Sequence, residues 1–145
     1  MLPRVAALDY GKARIGIAVS DDLGLLAHPR RPLDARRPMD VERALVSLVR
    51  EDGVSRFLVG LPKNLSGTDG TFAESARAFA QRVADVTGCE VELVDERWTT
   101  VAAQRALRES GVSAKKERPL VDGVAASLML QAWLDRARVE ARGGA

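Results

Sequence analysis

The sequence contains very little cysteine or histidine, the residues that most often build thiolate or imidazole metal sites. In 145 residues there is one cysteine, Cys89, and one histidine, His28. A single cysteine excludes an internal disulfide and a cysteine metal cluster. We therefore expect Cys89 to be a half-buried residue ahead of a strand, and His28, beside Pro29, to have a structural role.

Long hydrophobic runs are also absent. No apolar segment approaches the roughly 18 residues that are needed to cross a bilayer, and the first nine residues lack the layout of a signal peptide. Hydrophobic residues still make up 46% of the chain, which indicates a globular fold. We expect a cytoplasmic protein that binds no membrane, with one domain over residues 1–139 and a flexible C-terminal tail over residues 140–145.

The chain has no large excess of charge of either sign. It carries 22 basic and 20 acidic residues, for a formal net charge of +2. Nucleic-acid binding through overall charge is therefore excluded, and any such contact must use local patches. Only four of the basic residues are lysine. The arginine excess has two explanations, which are genomic base composition and the bidentate binding of phosphate by guanidinium groups.

Hydrophobic periodicity predicts elements in the order β-β-β-α-β-α-β-α-α. The predicted strands are Arg4–Leu8, Arg14–Ser20, Leu25–Pro32, Arg56–Leu61 and Glu90–Asp95. The predicted helices are Asp40–Asp52, Thr71–Thr87, Thr99–Ser110 and Leu120–Val139, with a basic loop from Gly111 to Pro119. A three-stranded antiparallel meander that feeds parallel crossovers gives a mixed five-stranded sheet with helices on both faces. This α/β arrangement is ribonuclease-H-like.

Carboxylates from distant parts of the chain are predicted to meet at one end of this sheet. Asp9 ends the first strand, Asp95 and Glu96 end the fifth, and Asp122 lies near the start of the last helix. Sites in such sheets form outside the carboxyl ends of the strands. Clustered carboxylates repel one another unless cations hold them together, and oxygen ligands suit Mg²⁺ or Mn²⁺. Two such ions can promote phosphodiester hydrolysis.

Each carboxylate also has a simpler explanation. Asp9 could only accept hydrogen bonds within a turn, and Asp122 could cap the N-terminus of its helix. Asp95 and Glu96 alternate across a regular strand, so we expect only one of them to face the site. We favour Glu96, which leaves Asp95 to pair with Arg97 or another basic residue.

Polar and basic residues close to these carboxylates predict a surface that binds a sugar-phosphate backbone. The predicted nucleic-acid-binding residues are Lys12, Arg14, Asn64, Ser66, Thr68, Arg97, Lys115, Lys116 and Arg118. Gly11 and Gly16 would allow close approach of a phosphate, although turn and packing requirements explain them equally well. The polar loop could instead contain only local turns, and the basic residues could be a solvated surface.

The segments that carry these residues resemble the YqgF (RuvX-like) family of Holliday junction resolvases. They are Ala7–Gly11 with Arg14–Asp21, Val59–Asn64 with Gly67-Thr68, Asp95–Thr100, and Val121-Asp122 with Ala125-Ala126 and Leu130-Gln131. The resemblance implies a bacterial cytoplasmic nuclease that acts on DNA junctions or on the 5′ end of precursor 16S ribosomal RNA. The acidic residues of the family fall on Asp9, Glu96 and Asp122. Leu65-Ser66 departs from the family pattern.

Three functions remain open from the sequence. The favoured one is a metal-dependent endonuclease that cuts RNA, branched DNA or both; resolution of a junction would require a homodimer, because one site cuts one strand. The second is a catalytically silent RNA-binding module for ribosome assembly. The third is a relative of actin-like ATPases, because Asp9–Gly11 followed by Arg14–Gly16 also resembles their first phosphate loop.

Overall fold

The computed structural model describes residues 3–61, 71–95 and 114–143, which contain five strands and three helices. The strands are β1 (Arg4–Tyr10), β2 (Arg14–Ser20), β3 (Ala27–Asp34), β4 (Val54–Leu61) and β5 (Glu90–Asp95). The helices are α1 (Pro38–Arg50), α2 (Thr71–Thr87) and α3 (Ala114–Gly143). The predicted helix Thr99–Ser110 lies outside the described residues. None of the described helices is long and apolar enough to cross a membrane.

The five strands form one mixed sheet in the order β3-β2-β1-β4-β5. The pairs β1–β2 and β2–β3 are antiparallel, and the pairs β1–β4 and β4–β5 are parallel. Helices α1 and α2 precede and follow β4 in the chain, so that each parallel pairing after the meander uses a helical crossover. The predicted five-stranded sheet, with its antiparallel meander and parallel strands, is confirmed.

Both faces of the sheet are covered by helices. In β1, Ala6 and Leu8 belong to a core cluster with residues of α1 and α2, whereas Val5 and Ala7 pack with α3. This division follows from the alternation of side chains along a strand. We refer to the two sides of the sheet as the α1–α2 face and the α3 face. The predicted two-sided architecture is therefore confirmed.

The start of α3 contradicts the sequence prediction. The segment Gly111–Pro119 was expected to be a loop, but the chain is helical from Ala114. Lysine, glutamate and arginine are strong helix formers, and the helix contains Pro119 although proline lacks an amide donor and crowds the preceding turn. The helix continues to Gly143, four residues beyond the predicted end at Val139. The first residues of the expected tail are therefore helical.

Two glycines end the helices on the α1–α2 face. Gly53 and Gly88 follow α1 and α2 with φ values of 73° and 70°, a conformation that other residues adopt at a cost. Cys89, directly after Gly88, is a half-buried free thiol, as expected from the sequence.

Candidate metal and nucleic-acid site

Asp9 is the next-to-last residue of β1 and pairs with Gly16 of β2. It is half-buried. Because Val5 and Ala7 pack against α3, alternation places Asp9 on the α3 face. The next residue, Tyr10, lies on the opposite face, where its ring stacks on Phe79 of α2 with centroids 4.7 Å apart. Asp9 is therefore held in a regular strand rather than in a turn.

The carboxyl ends of β1, β4 and β5 lie at one end of the sheet, which we call the carboxyl edge. The register pairs Leu8 with Val59, and Leu61 with Asp95. Because both pairings are parallel, Asp9 and the backbone of Asp95 lie at the same edge, on two strands that are separated by β4. The prediction that both strands end at one edge of the sheet is confirmed, and the meeting of their carboxylates stays a prediction. Glu96, the favoured ligand, lies outside the described residues.

Helix α3 runs so that its N-terminal part points toward the carboxyl edge. The Gln131 side chain accepts a hydrogen bond from the Ala27 amide at 3.0 Å and donates one to the Leu25 carbonyl at 2.7 Å. Nearer its N-terminus, α3 approaches β3 at Gly123, where a Cβ atom would lie 3.7 Å from the Cβ atom of Pro29. Residues that precede Gly123 in α3, including the backbone of Asp122, are thus directed toward the end of the sheet that carries Asp9.

The proposed capping role of Asp122 is wrong. Asp122 is the ninth residue of α3, which begins at Ala114, so Asp122 lies inside the helix. An N-cap residue must precede the first helical turn. Lys115, Lys116 and Arg118 are likewise on the helix and not on a loop.

Five of the predicted nucleic-acid or metal contacts lie outside the described residues, namely Asn64, Ser66, Thr68, Glu96 and Arg97. Among the residues that the structure does describe, no group of three or more His, Cys, Asp or Glu side chains could hold a metal ion. The three-carboxylate set therefore stays a prediction.

Lys12 and Arg14 belong to the tight hairpin that joins β1 to β2 at the carboxyl edge. The Gly11 amide donates to the Arg14 carbonyl at 3.0 Å. A Cβ atom at Gly11 would lie 2.8 Å from that carbonyl oxygen, so the turn itself requires glycine. Lys12 is exposed, and Arg14 is half-buried opposite Asp34 of β3. The structure thus places both basic residues close to Asp9, as the sequence predicts.

The turn from β3 to α1 adds a charged feature that the sequence analysis missed. The Asp34 carboxylate accepts hydrogen bonds from the Nε of Arg36 at 3.0 Å and from the Arg36 amide at 2.9 Å. Both bonds lower the pKa of Asp34 below its usual value, and the side-chain bond contributes more than the amide bond. The signal in the sequence was Asp34 itself, because an aspartate in a turn often accepts a hydrogen bond from the backbone amide two residues later.

The Asp34 contacts predict a pH-dependent contribution to stability. Because the pKa of Asp34 is lowered in the folded state, its contribution is present above the unfolded pKa and is lost as the pH falls through the folded value. We expect Asp34→Asn to lower the unfolding temperature slightly at pH 7 and to have no effect near pH 2. Thermal unfolding at both pH values, with Asp85→Asn as control, measures this. An equal difference at both pH values would contradict it.

A cavity of about 280 Å³ lies on the α1–α2 face. Its lining includes Tyr10, Val41, Ser75, Phe79 and Arg82, but not Asp9. The cavity and the predicted carboxylate site therefore lie on opposite faces of the sheet.

Comparison with known proteins assigns the family. Residues 3–136 match the sequence profile described as "RuvX: Holliday junction resolvase". The chain belongs to this family. The resemblance in the sequence motifs is thereby confirmed.

Curated RuvX relatives align over almost their full length. A protein of Symbiobacterium thermophilum named "Putative pre-16S rRNA nuclease" is 43% identical, with 91% of this chain and 92% of the relative covered. A protein of Anaeromyxobacter sp. with the same name is 46% identical, with 91% and 96% covered.

Solved structures show the same fold. RuvC of T. thermophilus in complex with a Holliday junction substrate superposes with a TM-score of 0.59 at 17% identity, covering 94% of this chain and 97% of RuvC. The fowlpox virus Holliday junction resolvase gives a TM-score of 0.54 at 11% identity, covering 92% and 99%. The ribonuclease-H-like fold predicted from the order of elements is thus confirmed.

Proposed function

We propose that this protein is a metal-dependent nuclease that hydrolyses phosphodiester bonds at the carboxyl edge of the sheet. The observation that carries the proposal is the position of Asp9, which ends the central strand β1 on the α3 face. Helix α3, which contains Asp122, covers this face. Membership in a resolvase family and relatives named as nucleases of ribosomal RNA precursors support the same chemistry.

The donors available at this edge fit Mg²⁺ or Mn²⁺. Asp9 supplies a half-buried carboxylate, and the chain offers no cysteine and no histidine at this edge, so the donors are oxygen atoms. Asp9, Glu96 and Asp122 would hold the ions. When bound, divalent ions would stabilise the negative charge that develops on the phosphate during hydrolysis.

The other predicted contacts would bind and orient the nucleic acid. Lys12 at the exposed hairpin tip and Arg14 beside it would neutralise phosphates next to the scissile bond. Asn64, Ser66, Thr68 and Arg97 would add polar and charged contacts from the segments that follow β4 and β5. These contacts address the backbone rather than the bases, which suits recognition of nucleic-acid shape.

The helical start of α3 refines the role of its basic residues. Counting along a helix, Lys115 and Arg118 precede Asp122 by seven and four residues, which puts these positions on the same side of α3. Lys116 precedes it by six residues, which puts its position on a different side. We therefore propose that Lys115 and Arg118 bind the nucleic-acid substrate and that Lys116 contributes less to this binding.

This difference gives a prediction with a matched control. We expect Lys115→Gln and Arg118→Gln each to weaken nucleic-acid binding by roughly five- to tenfold. Each should also reduce the slope of log Kd against log salt concentration by about one. Lys116→Gln removes the same charge and is expected to change the affinity by less than about twofold. Fluorescence anisotropy with a labelled oligonucleotide over a series of salt concentrations measures this. Equal effects of all three variants would contradict the assignment to one side of the helix.

The substrate is proposed to be precursor 16S ribosomal RNA at its 5′ end, a DNA junction, or both. The experiment that tests the function offers the purified protein matched RNA, single-stranded DNA and four-way junction substrates, each with Mg²⁺ or Mn²⁺. Internal cleavage products would support the endonuclease mode, and paired symmetric cuts in the junction would support a homodimer. Tight binding without cleavage would instead favour an RNA-binding module. The nuclease is expected to act in the cytoplasm.

A further inference from the structure

An irregularity in β3 lies level with Asp9. The register pairs Ile15 with Leu33 and Ile17 with Arg30. Two steps along β2 therefore match three steps along β3, so that Arg31 and Pro32 together stand opposite Gly16. Gly16 pairs on its other side with Asp9. Such bulges bend a strand and redirect its side chains, and they are frequent next to active sites.

The face of the sheet on which Arg31 lies follows from its position opposite Gly16 and from the two residues that precede it, Arg30 and Pro29. The Nη2 atom of Arg30 donates to Asp52, just after α1, at 3.0 Å, which places Arg30 on the α1–α2 face. Pro29 lies against Gly123 of α3. Ile15 and Ile17 pack with the cluster of the α1–α2 face, so Gly16 between them is on the α3 face. Arg31 stands opposite Gly16 in the bulge and therefore shares the α3 face with Asp9.

No side chain of β2 stands between the positions of Arg31 and Asp9 at this level of the sheet. The strands β1 and β3 are separated only by β2, which corresponds to about 10 Å between their backbones. The residue of β2 at this level is Gly16, which has no side chain. A phosphate group beside the Asp9 carboxylate would therefore be within reach of an extended arginine side chain from position 31.

Arg31 also differs in charge pairing from the arginines around it. Arg30 pairs with Asp52 at 3.0 Å, and Arg36 pairs with Asp34 at 3.0 Å. Arg31 is exposed, and it forms no ion pair within the part of the chain that the structure describes. Its guanidinium group is thus available for a ligand, and a planar guanidinium suits a phosphate with two hydrogen bonds.

We propose that Arg31 binds a backbone phosphate of the substrate next to the phosphodiester at Asp9 and so positions the scissile bond. The proposal rests on the proposed nuclease function and adds β3 to the nucleic-acid surface. It makes Arg31 a positioning residue, since it would contact the substrate away from the bond that is broken.

Arg30 provides a matched control, because Arg30→Gln and Arg31→Gln remove the same charge from adjacent positions on opposite faces. We expect Arg31→Gln to raise the Kd for a substrate RNA or junction by about tenfold. It should also reduce the slope of log Kd against log salt concentration by about one. Arg30→Gln is expected to leave both within about twofold of wild type. Arg31→Lys keeps the charge but loses the planar donor pair, so it should recover the salt dependence and only part of the affinity.

Cleavage kinetics and unfolding temperatures complete the test. Arg31→Gln should raise KM more than it lowers kcat, while its unfolding temperature stays close to that of wild type. An unchanged salt dependence for Arg31→Gln, or equal losses for Arg30→Gln and Arg31→Gln, would overturn the assignment. Aggregation of Arg31→Gln with normal binding would instead assign Arg31 to protection of the sheet edge. If wild type cleaves and Arg31→Gln cleaves equally well, only this inference fails; if wild type neither binds nor cleaves, the proposed function fails as well.

Discussion

Asp9→Asn is expected to reduce metal-dependent cleavage by at least about a thousandfold while the protein remains folded. The substitution keeps the size of the side chain at the end of β1 and removes its negative charge. A lost ligand to a catalytic ion costs several kcal/mol of transition-state stabilisation, and each 1.36 kcal/mol corresponds to about tenfold in rate. Single-turnover cleavage of a labelled substrate with Mn²⁺ measures the loss.

The unfolding temperature with and without Mn²⁺ separates an effect on metal binding from an effect on the cleavage step. Ions that bind only the folded protein raise its unfolding temperature, so Mn²⁺ should stabilise wild type more than Asp9→Asn. Without divalent ions, Asp9→Asn should unfold at the same temperature as wild type or a higher one, because removing one of the three proposed metal-binding carboxylates would relieve their repulsion. Asp85→Asn, an exposed change on α2, should alter none of these quantities. Undiminished cleavage by a folded Asp9→Asn protein would disprove the metal role of Asp9.

Local sequence patterns predicted most of the fold because the elements on the α1–α2 face have strong periodicity and clear ends. The helix Thr71–Thr87 has the predicted bounds, and its Phe79 and Val83 are buried. The start of α3 was missed because the basic segment Gly111–Pro119 was predicted to be a loop. Inside a helix a proline removes one hydrogen bond and crowds the preceding turn, so no local pattern predicted a helix that continues through Pro119, although lysine, glutamate and arginine favour helix.

The register of β3 could not be predicted from the sequence, and this hid part of the candidate site. The segment Leu25–Pro32 was predicted as a strand, but the observed strand is Ala27–Asp34. The position of the bulge opposite Gly16 depends on the register between β2 and β3, and no local sequence pattern contains that information. Arg31 therefore attracted no attention, whereas Asp9 was identified because its own strand ends beside it.

The remaining carboxylates are distinguished by the alternation of side chains along β5. Glu92 accepts a hydrogen bond from the Nε1 of Trp133 in α3, and Val94 packs with the α3 cluster. Val91 packs with the cluster of the α1–α2 face. Continued alternation would give position 96 the α3 face of Asp9 and position 95 the other face.

We therefore expect Glu96→Gln to lower cleavage by at least about a hundredfold and Asp95→Asn to lower it by less than about threefold. The two variants remove one negative charge each from adjacent positions, so a general change in charge affects both equally. The concentration of Mn²⁺ needed for half-maximal cleavage should rise for Glu96→Gln and stay unchanged for Asp95→Asn. The opposite ranking would mean that the alternation of side chains is broken at the end of β5, so that Asp95 is the ligand. Equal large losses would mean that both carboxylates serve the site, which a regular strand does not allow.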